Sequence, residues 1–337
     1  MYPKQQREMD STVKKVWKGM IPIELQLAAA DSIELLASAT LPEPFQTFYM
    51  LVPRVSYLPF MVTKIKEQWL NPMLEMAGTR VPDTGTVIKE TDVWFEYQKQ
   101  PLKWHYPVGL LYDMLVNDAS SELPWALTLH VRKFPSPALV PAPSTKAMRD
   151  MFMAMVKEAD FIRNGSTKRV MDLAKSDQMQ LLDGIQDHSF EKYFAIHSII
   201  VAVSTGNGSS SKQQRGGGGP KAIPIRFYMA SEAQEVGGEG GSNREAAAGN
   251  GGNGMAQFHI LQYPVPLTKD ESEQTTLADA FRICYEIPEQ AGDAFVTNCA
   301  CLCQGISVPW ETPVSWLAEN LFYADCFLHL VVANISK

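Results

Sequence analysis

A short acidic motif is the first residue group in this 337-residue chain whose residue types could do chemistry. Asp83, Thr84 and Gly85 match the triplet of aspartic proteases, in which two such loops bring together two carboxylates that share one proton. The sequence holds no second copy of the triplet, and Pro82 precedes the aspartate where a working site needs an apolar strand. Because Asp and Gly are also common turn residues, we interpret the segment as a surface loop. The alternative is an acid protease that depends on Asp83.

Three cysteines alternate along a predicted strand, at positions 299, 301 and 303, and could offer thiolates to a soft metal ion. Structural zinc sites instead favour cysteines separated by two residues, which lets the ligands converge on a tetrahedron. Cysteine is also among the residue types most often buried. A packed strand face therefore explains the spacing better than a metal site. The glycine motif at 249–254 formally matches a nucleotide loop but lacks the buried strand that must precede one, so we expect neither a metal nor a cofactor.

Lys157 lies in the sequence MVKEAD, within a helix predicted over residues 145–164. At 100° per residue, one side of this helix forms an apolar stripe typical of a core-facing surface, made of Met148, Met151, Phe152, Met155, Ala159 and Ile162. Lys157 points away from the stripe, and its neighbours at i−4 and i+4 are Met153 and Phe161. An exposed lysine between two exposed apolar side chains suggests a docking or attachment point. On pattern alone, an ordinary solvated surface is the commoner interpretation.

Composition and charge limit the classes of protein to which this chain could belong. The chain is 45% hydrophobic and 20% charged, as in soluble globular proteins, and its length predicts two or three domains. A net charge of −7 argues against nucleic acid as a partner. No apolar run approaches the ~18–20 residues that span a bilayer, and the first residues do not form a signal peptide. Five cysteines without signs of secretion favour a reducing, cytoplasmic compartment.

Two glycine-rich tracts, at 205–220 and 235–254, divide the chain and are predicted to be flexible. After an N-terminal helix (1–19), residues 20–134 follow the order strand, strand, helix, strand, strand, helix, strand. That order describes a ubiquitin-like (β-grasp) domain, and residues 221–337 repeat it, with an insertion at the first hairpin tip, at about 231–255. Residues 142–204 form a helix-rich domain, and 205–220 is a linker. The predicted fold class is α+β, with two ubiquitin-like domains flanking a helix-rich domain.

Some elements are predicted more finely. Residues 93–107 should form two strands about a tight turn at 98–100, with Trp104 on the inward face of the second strand beside Leu102 and Tyr106. In the helix-rich part, residues 166–183 and 188–203 should each form one helix, the second capped by Asp187.

Seven segments resemble the autophagy protein 5 family: PRVSYL (53–58), WFEY (94–97), PLKWHYPVGLLYD (101–113), LPW (123–125), MVKEAD (155–160), ETPVSWL (311–317) and FLHL (327–330). The likeness covers nearly the whole chain in order, except the two glycine-rich tracts and the residues around 28–44 and 77–91. PLKWHYP followed by GLL is its most specific part. The glycine-rich insertions depart from compact members of the family.

The resemblance implies a scaffold without catalytic activity of its own. In this family the ubiquitin-like modifier autophagy protein 12 is joined through its C-terminal glycine to one lysine, which corresponds to Lys157. The conjugate binds the coiled-coil autophagy protein 16. The assembly acts like a ubiquitin ligase and promotes transfer of autophagy protein 8 to phosphatidylethanolamine. The E2-like autophagy proteins 10 and 3 are implied as transient partners. The alternative is a cytosolic adaptor of ubiquitin-like fold that is never conjugated.

Further partner-binding residues are predicted around this site and at the N-terminus. Trp17 and Arg54 are candidates for contact with the coiled-coil partner, although Trp17 equally fits a core residue. Met153 and Phe161 are candidates beside Lys157. Basic residues in the helical part could favour an anionic membrane surface, or only be solvated: Lys146, Arg149, Arg163, Lys168 and Arg169. We expect a cytoplasmic protein that lies peripherally on the phagophore membrane, at the preautophagosomal structure.

Overall fold

The computed structural model describes residues 12–36, 43–77, 88–116, 123–140, 145–201, 221–230, 257–269, 273–288 and 294–334. The predicted Asp83 loop and both glycine-rich tracts lie outside these residues. Within them, no helix has the length and apolar character needed to cross a membrane. No group of three His, Cys, Asp or Glu side chains in this part of the chain could hold a metal ion.

The first five strands form one mixed sheet: β1 (Met20–Leu27), β2 (Thr47–Pro53), β3 (Trp94–Tyr97), β4 (Gln100–Pro101) and β5 (Trp125–His130). Their order is β2-β1-β5-β3-β4, with β1 and β5 parallel and the other pairs antiparallel. Alternation places Ile23 and Leu25 of β1 and Leu127 and Leu129 of β5 in the core. This is the strand order of the predicted ubiquitin-like domain.

A long helical segment packs on the core face of this sheet. It runs through α4 (Pro59–Ile65), a π-helical turn (Lys66–Leu70) and α5 (Asn71–Met76). The sequence pattern predicts this helix over 62–76, and it starts three residues earlier because Pro59 stands in its first turn, where a missing N–H costs nothing. The other helices of this part are α1 (12–17), α2 (Ala29–Leu36), α3 (Glu43–Gln46) and α6 (Val108–Leu115). A 3₁₀ turn (Glu90–Asp92) precedes β3.

The predicted second strand of the 93–107 hairpin is much shorter than expected. The turn residues Gln98 and Lys99 have positive φ, as a tight hairpin requires, but β4 comprises only two residues. Pro101 has no N–H for a sheet ladder. The chain then turns, so Trp104 lies outside the sheet and its indole Nε1 donates to the Val140 carbonyl at 3.0 Å. The prediction that Trp104 is an inward-facing strand residue is wrong.

The second sheet repeats the topology of the first. Its strands are β6 (Ile223–Ala230), β7 (Phe258–Val265), β8 (Cys299–Cys303), β9 (Ile306–Val308) and β10 (Leu328–Asn334). They are ordered β7-β6-β10-β8-β9, again with the two central strands parallel. Among the described residues, three helices accompany them, α11 (Leu277–Tyr285), α12 (Ala294–Asn298) and α13 (Val314–Asn320). The β8 cysteines are buried and free, as a packed strand face predicts.

Four helices form the central part: α7 (Thr145–Asn164), α8 (Lys168–Met171), α9 (Lys175–Gln186) and α10 (Phe190–Val201). The bounds of α7 are those predicted, and it ends at Gly165 with φ +70°. The predicted single helix over 166–183 is wrong, since the chain breaks between α8 and α9. Asp187 ends α9, and the cap of α10 is Ser189, whose Oγ accepts the Lys192 N–H at 3.4 Å.

The helical core includes residues from both ubiquitin-like domains. Val55 and Tyr57 enter it from the first domain, and Ala324, Cys326 and Phe327 enter it from the second. The three domains therefore share buried surface, and this surface fixes where α7 lies.

Candidate functional site

Only part of the predicted apolar stripe of α7 is buried. Met148, Phe152 and Ala159 are fully buried in the helical core. Met155 and Ile162 are only half-buried, because that side of α7 faces the second sheet through polar groups. The helix is thus packed on two sides rather than one, which widens its buried surface beyond the predicted stripe.

Met153 lies within this wider buried surface. Its side chain is 5% exposed and belongs to the helical core, so its predicted exposure beside Lys157 is wrong. The physical cause is α8. The Asp160 carboxylate accepts the Val170 N–H at 3.3 Å and the Asn164 amide at 2.7 Å, which holds α8 against this side of α7. Phe161 differs, since it is 58% exposed.

Lys157 stands at the edge of the remaining solvent side of α7. Its side chain is half-buried, and it makes no hydrogen bond or ion pair with any described residue. Its sequence neighbour Glu158 is engaged elsewhere, and Phe161 is one helical turn away. Lys157 is therefore an amine without a carboxylate partner in the described part of the chain, on a helix that is firmly packed behind it.

Glu158 joins α7 to the second ubiquitin-like sheet. Its Oε2 accepts from Arg226 Nη2 at 3.1 Å, and its Oε1 accepts from Gln262 Nε2 at 2.7 Å. Arg226 Nε donates to Gln262 Oε1 at 2.5 Å, which closes a ring of three side chains. The Arg226 guanidinium also lies over the Phe327 ring, 4.0 Å from its centroid. No sequence pattern predicted this ring.

Arg54, a predicted partner-binding residue, is an internal joint between the two ubiquitin-like domains. Its Nη2 lies 2.5 Å from Asp113 Oδ1, and the other oxygen of Asp113 accepts the Gly305 N–H at 2.8 Å. A Cβ at Gly305, where φ is +75°, would come within 2.9 Å of the guanidinium carbon. Burial lowers the pKa of Arg54, but the interactions with Asp113 and Tyr323 together raise it by more, so the net pKa is raised. A partner cannot reach the face of this guanidinium directly.

Trp17 is likewise a core residue, 5% exposed. Its indole stacks on Tyr193 with centroids 4.8 Å apart, and the Trp17 carbonyl lies 2.7 Å from His188 Nε2. These contacts fasten α1 to the helical domain. A role for Trp17 or Arg54 in partner binding stays a prediction, and it would act through the arrangement of domains that both residues hold.

The second domain contains a buried chain of polar groups that no sequence pattern predicted. Tyr228 Oη lies 2.9 Å from His329 Nδ1, and His329 Nε2 lies 2.9 Å from Asp325 Oδ2. Burial raises the pKa of Asp325, but the charge and hydrogen bond of His329, the Arg226 charge and the Phe327 N–H together lower it below its usual value. The chain has the form of a hydroxyl–imidazole–carboxylate relay, yet none of its three residues is more than 2% exposed. It therefore stabilises the FLHL segment and has no access to a substrate.

An apolar groove separates the first ubiquitin-like domain from α7 and α9. Its lining includes Phe60, Trp94, Trp104 and Met148, and it holds about 70 Å³. Sites for cofactors and drug-sized ligands usually hold about 300–1,000 Å³. This groove is too small for such a ligand.

Comparison with known families agrees with this architecture. Three family models match the chain in succession. They are described as Autophagy protein ATG5, UblA domain, over residues 16–131; alpha-helical bundle region, over residues 145–202; and UblB domain, over residues 222–332. The predicted fold class, with two ubiquitin-like domains flanking a helical one, is confirmed.

Relatives match over almost their full length. Proteins named Autophagy protein 5 from Oryza sativa subsp. indica and Arabidopsis thaliana are each 28% identical to this chain. Each alignment covers 95% of this chain, with 92% of the rice protein and 96% of the Arabidopsis protein. The crystal structure of Kluyveromyces marxianus Atg5 matches 96% of this chain and 99% of its own, with a TM-score of 0.66 and 21% identity. It shows the same fold.

Proposed function

The chain belongs to the autophagy protein 5 family, and from this premise we propose that it is an autophagy scaffold joined covalently to a ubiquitin-like modifier. The modifier is autophagy protein 12, and its C-terminal glycine forms an isopeptide bond with the side-chain amine of Lys157. The chain supplies the acceptor amine, while the catalytic groups belong to the conjugating enzymes.

The state of the Lys157 side chain is the observation that carries this proposal. It has no ion-pair partner among the described residues, so no carboxylate has to release the amine before it attacks. It stands on a helix whose other sides are packed, and Phe161 offers an exposed apolar contact one turn away. These features suit an acceptor that must meet a bulky protein partner at a fixed position.

The reaction is an acyl transfer. The Lys157 nitrogen attacks the thioester that links the modifier to a cysteine of the E2-like autophagy protein 10. The carbon–sulfur bond breaks as the carbon–nitrogen bond forms, and the thiolate leaves. No described side chain makes a hydrogen bond or ion pair with the amine, so the base that takes its proton belongs to the conjugating enzyme.

The conjugate then works as part of a larger assembly. It binds the coiled-coil autophagy protein 16 and promotes transfer of autophagy protein 8 from the E2-like autophagy protein 3 to phosphatidylethanolamine. We place this assembly in the cytoplasm and on the phagophore membrane, as a peripheral protein of the preautophagosomal structure. The buried joints at Arg54 and Trp17 support a scaffold role, because they hold three domains in one arrangement.

Replacement of Lys157 by arginine tests the attachment. Lys157→Arg keeps the charge and the helix propensity, so its effect on stability should stay within about 0.5 kcal/mol. A guanidinium stays protonated and is a poor nucleophile, so the covalent conjugate should disappear from denaturing gels of cell extracts.

The matched control is Lys146→Arg, at an exposed position three turns earlier on the same helix, which should conjugate like the wild type. A wild-type chain that never shows the reductant-resistant, slow-migrating band would favour the adaptor that is not conjugated. A band that persists in Lys157→Arg, with the isopeptide mapped to another lysine, would exclude Lys157 as the acceptor.

A further inference from the structure

We propose that Glu158 and Arg226 are positioning residues for Lys157, and that their ion pair fixes the rotation of α7 on the second sheet so that the amine faces the incoming thioester. The inference rests on the proposed conjugation at Lys157. It assigns to the second ubiquitin-like domain a role in the reaction, because Arg226 and Gln262 belong to that domain.

The ring of Glu158, Arg226 and Gln262 resists rotation of the helix. Both oxygens of Glu158 are occupied, by donors from two different strands. Arg226 is held from three further directions, by Gln262, by the Met155 sulfur at 3.7 Å and by the Phe327 ring. The Arg226 side chain is 13% exposed and the Glu158 side chain 43% exposed. Solvent therefore screens the carboxylate side of this pair, and the ring holds the helix by the geometry of its contacts more than by charge.

A second anchor holds the C-terminal end of α7. The Lys221 N–H donates to the Arg163 carbonyl at 2.7 Å, and Arg163 Nη2 donates to the Cys326 carbonyl at 3.3 Å. Residue 163 therefore lies beside the start of β6, and residue 158 lies beside its middle. The contacts at Arg163 and at Glu158 are separated along the helix axis, so together they define the axial position of α7. The Glu158 ring is the nearer of the two to Lys157, and it sets the rotation of the helix there.

Helix geometry converts that rotation into displacement of the amine. Consecutive residues are 100° apart, so a fixed Glu158 determines the direction of Lys157. A side-chain tip lies ~5–6 Å from the helix axis, so a rotation of about 20° moves it by about 2 Å. Misplacement of a reacting group by about 1 Å can lower a rate by up to about a hundredfold. Loss of the ring should therefore slow conjugation while leaving the amine accessible.

The experiment compares Glu158→Ala with Asp150→Ala in the full-length chain. Asp150 lies on the solvent side of the same helix, and its side chain is 62% exposed. Purified activating and conjugating enzymes and modifier are mixed with each variant, and kcat/KM for the conjugate is measured. We expect a loss of about tenfold for Glu158→Ala and no change for Asp150→Ala. Mass spectrometry also measures acylation of Lys157 by a small N-hydroxysuccinimide ester, which should be equal in all variants.

Several outcomes would overturn the inference. A folded Glu158→Ala variant that conjugates at the wild-type rate would show that the ring does not position Lys157. A parallel loss of small-ester acylation would show that Glu158 only controls exposure of the amine.

If Glu158→Ala does not fold, Glu158→Gln decides on the same criteria, since it keeps the shape and loses the charge. Restored conjugation in the double variant Glu158→Arg with Arg226→Glu would support positioning by the pair. A wild-type chain that is not conjugated at Lys157 would instead refute the proposed function.

Discussion

The two ubiquitin-like domains share a strand order but differ in the outer face of the sheet, which is turned away from the domain's own core helix. In the first sheet, the outer-face pairs of the central strands are Glu24 with Ala126 and Gln26 with Thr128. All four are exposed or half-buried. The described residues cover this sheet on one side only.

The second sheet is covered on both sides. Its corresponding pairs are Arg226 with His329 and Tyr228 with Val331. Three of these residues are buried, and Arg226 is held by Glu158 of α7. The outer face of the central strands β6 and β10 is therefore an internal surface of the molecule.

One helix of the first domain also takes part in covering the second sheet. In α6, Val108 and Leu111 belong to the core of the first domain, whereas Leu110 and Met114 belong to the core of the second. A helix that is apolar all round must be buried on all sides. Since α6 and α7 both pack on the second domain, they cover the outer face of its central strands, whereas Ile260 on the edge strand β7 stays 39% exposed.

The difference shows that topology does not decide which face of a β-grasp sheet stays open. The side chains on the outer face decide it. Where they are short or polar, solvent satisfies them, as at Gln26 and Thr128. Where they are an arginine, a tyrosine and a histidine with internal partners, burial is favourable only because each polar atom finds a hydrogen bond. The open face of the first domain keeps two exposed apolar residues, Tyr49 and Leu51, at 62% and 58%.

The largest expected effect concerns the joint between the two domains. Arg54→Ala would leave Asp113 buried without its cationic partner, and loss of one member of a buried pair costs roughly 3–5 kcal/mol of unfolding free energy. Urea denaturation followed by circular dichroism measures this loss. The control is Glu34→Ala, which removes exposed ion pairs to Arg132 and Lys133 and should cost about 0–1 kcal/mol. Equal losses in the two variants would mean that the Arg54 joint adds no more than a surface contact.

Many of the helices and strands of the two domains could be predicted from local patterns in the sequence. Alternating apolar residues predict strands over 21–27, 222–229 and 327–333, and β1, β6 and β10 lie within one residue of these bounds. The strand predicted over 124–134 is β5, which ends four residues earlier than predicted, at His130. The bounds of α7 match because Gly165 supplies the left-handed stop. Local periodicity suffices for these elements, since each buries one face against its own core.

The contacts between domains could not be predicted in this way. Met153 is buried because α8 folds back on α7, and Trp104 leaves its strand because Pro101 ends the ladder early. Glu158 and Arg226 are 68 residues apart, so no pattern within a helix or strand relates them. The acceptor role proposed for Lys157 rests on a family motif rather than on the neighbouring residues in the helix, because a single lysine without an ion-pair partner has no distinctive sequence pattern.

A buried histidine of α10, which contacts the second domain, gives the next prediction. The ring of His197 stacks on Phe322, 4.4 Å between centroids, and its Nε2 has no hydrogen-bond partner among the described residues. Burial lowers the pKa of His197 from 6.5 to about 3. Between pH 6.5 and about pH 3, the unfolded chain therefore binds a proton at His197 that the folded chain does not bind. The free energy of unfolding falls as the pH decreases through this range. From pH 7 to pH 5 the loss from this group should be about 2 kcal/mol.

His197→Phe should remove that part of the pH dependence, as measured by urea denaturation at several pH values. His130 is the matched residue on the open face of the first sheet. It is half-buried, and although burial lowers its pKa, Glu96 at 3.3 Å opposes the effect. His130→Gln should change the pH dependence less than His197→Phe does. A larger change at His130 would contradict the distinction between the open and covered faces.

The smallest effect is expected on the open face itself. Leu51 and Met50 are neighbours on β2 whose side chains point to opposite sides of the sheet, with Leu51 58% and Met50 8% exposed. Met50→Ala removes core volume and should cost roughly 2–5 kcal/mol. Leu51→Ala removes little buried area, so its effect should stay within about 0.5 kcal/mol. Thermal unfolding of the two variants measures this difference directly. If Leu51→Ala destabilises the chain as much as Met50→Ala does, something covers the outer face of the first sheet in solution, and the two ubiquitin-like domains are then alike in having both faces buried.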